Sequence, residues 1–172
     1  MFKDPRRIVT GHNPEGKSIV VADGPVRCET IKDGAGFAVL YETHEFPVSN
    51  EGWEDPILHR TKNLANSQGV VLRVVDIPAG AVSMFHRTES LDFGILHKGE
   101  VTCVLDDDVR VKMKEGDVCV QRGTIHGWIN ESSESARIYF ILAAAHPVKF
   151  GDNILGNAGY VAEEMESGGD SH

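Results

Sequence analysis

Between Val70 and Leu142 the chain alternates short β-prone runs with clusters of turn-forming residues. Val70–Ile77 reads Val-Val-Leu-Arg-Val-Val-Asp-Ile and stops at Pro78-Ala79-Gly80, a turn by its chemistry. Strands are predicted next over Ala81–Arg87, Asp92–His97, Val101–Leu105, Val109–Met113, Val118–Gln121, Ile125–Ile129 and Ala136–Leu142. Turn signals separate them: Lys98-Gly99-Glu100, the hairpin Asp106-Asp107-Asp108, Lys114-Glu115-Gly116-Asp117, Arg122-Gly123-Thr124 and the polar stretch 130–135. No stretch here sustains a 3.6-residue period, so the helical alternative fails. Short strands at this spacing with glycine turns predict an all-β sandwich or barrel.

The first third adds weaker strands at Ser18–Ala22, Val26–Ile31 and Phe37–Thr43, expected to pack on the main sheet. His44 to Gln68 reads as a long loop with a helical turn, and a loop of that length commonly covers a pocket. The chain is thus expected to be a single domain. An N-terminal extension over 1–69 precedes a barrel over 70–150, and a tail over 151–172 is expected to end in disorder.

Composition narrows the partners. At 172 residues, 41% hydrophobic and 25% charged, the chain has enough apolar material for one core. Its net charge of −9 repels a phosphate backbone, so nucleic acid is not expected as a partner. No basic amphipathic stretch suits a membrane surface, and the longest apolar run, Ile138 to Ala145, is too short to span one. Three widely spaced cysteines, Cys28, Cys103 and Cys119, give neither a disulfide framework nor a CxxC knuckle. The charged opening Met-Phe-Lys-Asp-Pro-Arg-Arg lacks the apolar stretch of a signal peptide. A cytoplasmic protein is the expectation. Exposed sheet edges and the extra N-terminal strands point to a homodimer.

Of the eight histidines, His86 and His126 are set apart by the strands that carry them. Strict alternation puts Val82, Met84, His86 and Thr88 on one face, Asp92 with Gly94 and Leu96 on the next strand, and His126 with Trp128. Each histidine taken alone is either a hydrogen-bonded core residue or a ligand in a pocket. Arg73 lies inside an apolar strand; an ion pair or an outward orientation is the plainer reading, and contact with an anionic substrate the sharper one.

Taken together the spacings resemble the cupin superfamily. Its first motif appears as Pro78-Ala79-Gly80, then His86-Arg87-Thr88, Asp92 and Gly99; its second runs from Gly116-Asp117 through Arg122-Gly123-Thr124 and His126 to Asn130. The second histidine of His-x-His is Thr88, the usual glutamate is Asp92, and the second proline is Gln121. His86-Arg87-Thr88, Ser90-Leu91-Asp92-Phe93-Gly94, Val120–Trp128 and Arg7–Asn13 are similar to the small cupin-domain oxidoreductases of fungal secondary-metabolite clusters.

The resemblance implies a jelly-roll barrel and a small-molecule substrate. It implies a divalent metal (Fe, Mn, Ni or Zn) on His86, Asp92 and His126, and no nucleotide cofactor. Two histidines and a carboxylate can hold Fe(II) with positions open for substrate and dioxygen. His86, Asp92 and His126 are then the expected catalytic residues, with Thr88, Met84, Trp128, Arg73 and Phe140 against an apolar or aromatic substrate. Val82 and Leu96 are expected to join the apolar wall. A metal-dependent oxidoreductase is the leading reading. A metal-free lyase or isomerase, with His126 or His86 as acid or base oriented by Asp92, is the alternative. A non-enzymatic ligand-binding barrel needs only the apolar pocket.

Overall fold

The structure is a computed structural model, and it describes residues 2–31 and 34–160. The expected disorder of the last residues falls on 161–172, outside the described part. Thirteen strands account for the regular structure. They are β1 (Arg6–His12), β2 (Ser18–Pro25), β3 (Glu29–Thr30), β4 (Gly36–Glu42), β5 (Val70–Ile77), β6 (Ser90–Lys98) and β7 (Glu100–Val104), followed by β8 (Arg110–Lys114), β9 (Val118–Arg122), β10 (Gly127–Ile129), β11 (Ala136–Ala144), β12 (Val148–Phe150) and β13 (Asn153–Leu155). A 3-10 turn at Pro56–His59 supplies the helical turn expected in the long loop. No helix among the described residues is long and apolar enough to cross a membrane.

Six strands form one sheet in the order β3-β4-β5-β11-β6-β9, and β10-β7-β8 form a second. The two enclose a core of Ile77, Leu96, Val101, Cys103, Met113, Trp128, Ile138 and Phe140. This is the jelly-roll arrangement: inward positions alternate along β6 as Ser90, Asp92, Gly94 and Leu96, while the intervening residues face outward. β4 pairs with β5, so the N-terminal third contributes strands to the main sheet as expected. The β1–β2 ribbon was not expected along its whole length. Residues of β1 alternate between exposed and half-buried, so no fully buried position marks the strand. The β12–β13 ribbon was likewise unforeseen.

One predicted strand is corrected. Ala81–Arg87 is not continuous; only bridges at Val82, His86 and Arg87 remain, opposite Ile129, His126 and Ala158. The cause is local. Ser83 Oγ accepts the Trp128 N–H at 2.8 Å, taking a donor away from a regular ladder. Met84's carbonyl accepts from His86 Nδ1 at 3.1 Å instead of from a neighbouring strand.

A buried ion pair ties the middle of the sheet to the N-terminus. Asp76 on β5 stands directly opposite Arg137 on β11. Arg137 Nε donates to Oδ1 at 2.6 Å and Nη2 to Oδ2 at 2.7 Å, a bidentate fork. On the other side Asp76 faces Gly36, where an added Cβ would stand 3.1 Å from the aspartate's own Cβ. Arg137 Nη1 reaches the Lys3 carbonyl at 2.9 Å, and the Phe2 ring lies 5.0 Å from the guanidinium carbon.

Candidate functional site

The inward faces of β5, β6, β9, β10 and β11 line a cavity that is apolar over most of its wall. Trp128 and Phe140 pack with ring centroids 5.5 Å apart and form one side. Gly94 makes this possible, because a Cβ there would stand 2.9 Å from the Phe140 ring. Val82, Met84, Phe37 and Leu64 complete the apolar lining. Leu96 does not reach it and lies fully buried in the core.

His86 and His126 are placed by the backbone. They stand opposite one another, with His86 N donating to the His126 carbonyl at 2.8 Å and the reverse bond at 2.9 Å. Their rings lie 4.4 Å apart, centroid to centroid. His86 Nδ1 donates to the Met84 carbonyl at 3.1 Å and His126 Nδ1 to the Thr124 carbonyl at 3.0 Å. A carbonyl can only accept, so in each neutral ring Nδ1 carries the hydrogen and Nε2 keeps the lone pair. Burial holds both imidazoles below the usual histidine range. For His126 the adjacent His86 adds to burial and the value falls to about 4. The two rings therefore stand neutral and basic side by side at pH 7.

Asp92 lines the same cavity on β6, where burial pushes its carboxyl up from the ordinary value. Its Oδ2 accepts from Thr88 Oγ1 at 3.2 Å, and Thr88 in turn accepts from Ser90 Oγ at 2.7 Å. Thr88 is thus a buried residue that hydrogen-bonds to Asp92 and is not among the residues lining the cavity. Among the described residues Asp92 hydrogen-bonds to neither histidine, and backbone carbonyls hold Nδ1 of both rings.

Arg73 turns inward. It is 2% exposed and lines the cavity, with Nη2 donating to the Asn63 carbonyl at 3.1 Å and its guanidinium carbon 4.9 Å from the centroid of the Phe37 ring. Nε and Nη1 have no hydrogen-bond partner among the described residues. Among the described residues Arg73 forms no ion pair, and it points into the cavity and not outward.

Gln121 and Ser83 also line the cavity and were missed. The signal for Gln121 was present: it occupies the proline position of the second motif and shares the inward face of β9 with Cys119. Ser83 could not be read from alternation, because the segment that carries it is irregular.

Among the described residues no three His, Cys, Asp or Glu side chains are grouped so as to hold an ion. His86, Asp92 and His126 all line the cavity wall.

A two-sheet jelly roll with paired histidines at the mouth of an apolar interior is the architecture of a cupin, and the chain belongs to the cupin family. Residues 73–142 match that family, described as a cupin domain. The cupin-domain-containing oxidoreductase fogC of Aspergillus ruber is 32% identical over 168 residues, covering 93% of this chain and 83% of that protein. Phomopsin biosynthesis cluster protein C' of Diaporthe leptostromiformis is 33% identical over 163 residues, 90% of this chain and 86% of that one. Among solved structures, the Schizosaccharomyces pombe Cnp3 cupin domain superposes with a TM-score of 0.51 at 19% identity, covering 83% of this chain and 89% of the other. That likeness concerns the fold.

Proposed function

We propose that this protein is a metal-free, acid–base enzyme of a biosynthetic pathway, a lyase or isomerase that moves a proton on a small, largely apolar molecule. One observation carries this reading. Two neutral imidazoles stand 4.4 Å apart on the wall of an apolar cavity, each with Nδ1 tied to a backbone carbonyl. Nε2 of either ring is a base held in a fixed orientation, as proton abstraction requires. When one ring takes the proton the other stays neutral, because two adjacent cations in a buried site repel. Met84, Trp128 and Phe140 exclude water from the substrate. The relatives' names, a biosynthesis cluster protein and a cupin-domain oxidoreductase, support a role in making small molecules.

Those names also favour a second reading, metal-dependent oxidation of the same kind of substrate on His86, Asp92 and His126. Metal content separates the two. After incubation with Fe(II), Mn(II), Ni(II) or Zn(II) and desalting, elemental analysis should find below about a tenth of an equivalent in wild type, since two imidazoles alone hold such ions poorly. A full equivalent that disappears in His126→Ala would overturn the acid–base reading. Turnover of the natural substrate should survive both exclusion of oxygen and added chelator.

We further infer a cytoplasmic homodimer. Ile8, Ile19 and Val20 on the β1–β2 ribbon and Val118 and Val120 on the edge strand β9 are exposed, an apolar surface that pairing with a second copy would cover. Light scattering at micromolar concentration should give twice the 18.8 kDa chain mass, and a monomer mass would refute it.

A further inference from the structure

From the polar groups that the cavity leaves without partners, we propose that its ligand is a carboxylic acid, whose carboxylate is held by Arg73 while its apolar body lies against Trp128 and Phe140. Three inward side chains on β5, β6 and β9 carry unpartnered buried atoms: Nε and Nη1 of Arg73, Oδ1 of Asp92, and both Oε1 and Nε2 of Gln121. Buried polar atoms are almost always paired, so a concentration of them on one cavity wall marks a place where something else binds. Water could satisfy the amide and the carboxyl oxygen. It cannot neutralise the guanidinium.

Arg73 is a cation with almost no exposure and no ion pair among the described residues. A buried charge in that state is strongly destabilising unless a counter-charge arrives. The carboxylates that act on it, Asp92 and Glu42, do so from beyond contact. Glu42 takes the Thr61 N–H at 2.8 Å and lies 3.0 Å from His44 Nε2 through Oε1, and its buried Oε2 has no hydrogen-bond partner among the described residues. Burial lowers Arg73 only to about 10, so it remains charged at pH 7.

The free donors suit a carboxylate. Nε–H and Nη1–H leave the guanidinium plane at different edges, and each can give a charge-assisted hydrogen bond to an anionic oxygen. Nη2 donates to the Asn63 carbonyl and the Phe37 ring lies beside the guanidinium, so the cation is held in place before the ligand enters. Asp92 Oδ1 and Gln121 Oε1 remain as acceptors for a hydroxyl or N–H on the same ligand. The cavity then selects an aromatic or alkyl acid, and the histidine pair faces the part of it that reacts.

This inference deepens the acid–base reading by naming its substrate class, but it is tested by binding alone, without turnover. The probes are cinnamate and its neutral counterpart cinnamamide, titrated by calorimetry into the full chain at pH 7. Wild type should bind the acid about tenfold or more tightly than the amide, the advantage expected of charge-assisted hydrogen bonds to a buried guanidinium. Arg73→Gln should bring the two affinities level and leave the amide's affinity unchanged. Should that variant not fold, 15N-arginine labelling of wild type gives the same answer: the Arg73 Nε–H resonance should move with cinnamate and not with cinnamamide. Equal affinities in wild type, failure of both probes to bind, or a preference that survives Arg73→Gln would each overturn the proposal. Catalysis on a neutral substrate unaffected by Arg73→Gln would overturn it while sparing the acid–base reading. Preferential carboxylate binding together with a stoichiometric metal would do the reverse.

Discussion

Asp76→Asn should destabilise the fold by about 3–5 kcal/mol, as expected when one partner of a buried ion pair is removed. Asp76 and Arg137 are 2% and 6% exposed, and two parallel hydrogen bonds join them. Asparagine keeps the shape but removes the charge, and its amide nitrogen cannot accept from the guanidinium. Arg137 then remains a cation inside the sheet, held by the Lys3 carbonyl and the Phe2 ring. Replacing both partners, as Asp76→Leu with Arg137→Met, should cost much less than Asp76→Asn alone, because no uncompensated charge is left behind. Urea titrations of the three proteins measure the differences. A loss below about 1 kcal/mol for Asp76→Asn would show that water reaches the pair.

His126→Gln should lower turnover on the natural substrate by about 10²–10⁴-fold, the usual contribution of a positioned general base. Glutamine can keep a hydrogen bond to the Thr124 carbonyl but has no basic nitrogen. The same variant tests the electrostatics of the site. Folded His126 takes its proton near pH 4, while in the unfolded chain the group titrates near 6.5. Its contribution to stability is therefore fully present above pH 6.5 and is lost as the pH falls through 4. The contribution is on the order of 3 kcal/mol for a shift of this size. His86, also shifted down, acts in the same sense; Asp92, shifted up, favours the folded state at low pH and opposes both. Comparing wild type with His126→Gln between pH 7 and 4 isolates the His126 share. The wild type should lose more stability than the variant over that range, and parallel curves would show that His126 is not held neutral by burial.

The barrel strands were legible because two independent signals coincided in them. Runs such as Val70–Ile77 and Ala136–Leu142 are β-prone, and the turns between strands carry glycines with the left-handed backbone they favour: Gly99 at φ 81° and Gly116 at φ 90°. The histidine pair was legible for a different reason. Its spacing from the turn residues is fixed by strand length, and that spacing is what the family motif records. Features that depend on partners distant in sequence could not be read. Nothing in Asp76 or Arg137 alone announces a match 61 residues away. Strict alternation put Thr88 on the face of His86, yet the segment loses its ladder at Ser83 and Thr88 turns to Asp92. Sequence spacing set which wall His86, Asp92 and His126 occupy, but not how far apart their side chains stand.

The placement of Trp128 gives the cavity its own optical reporter. The indole is 3% exposed, its ring centroid lies 5.9 Å from that of His126, and it also packs on Phe140. The other tryptophan, Trp53, lies exposed in the long loop and emits as a solvated indole. The blue, shielded part of the emission spectrum therefore belongs to the interior of the barrel. A protonated imidazole is a quencher of indole fluorescence and a neutral one much less so. The intensity of that blue component follows the charge on His126 and the polarity of whatever fills the space beside it, so occupancy and proton transfer can be observed in the unmodified protein.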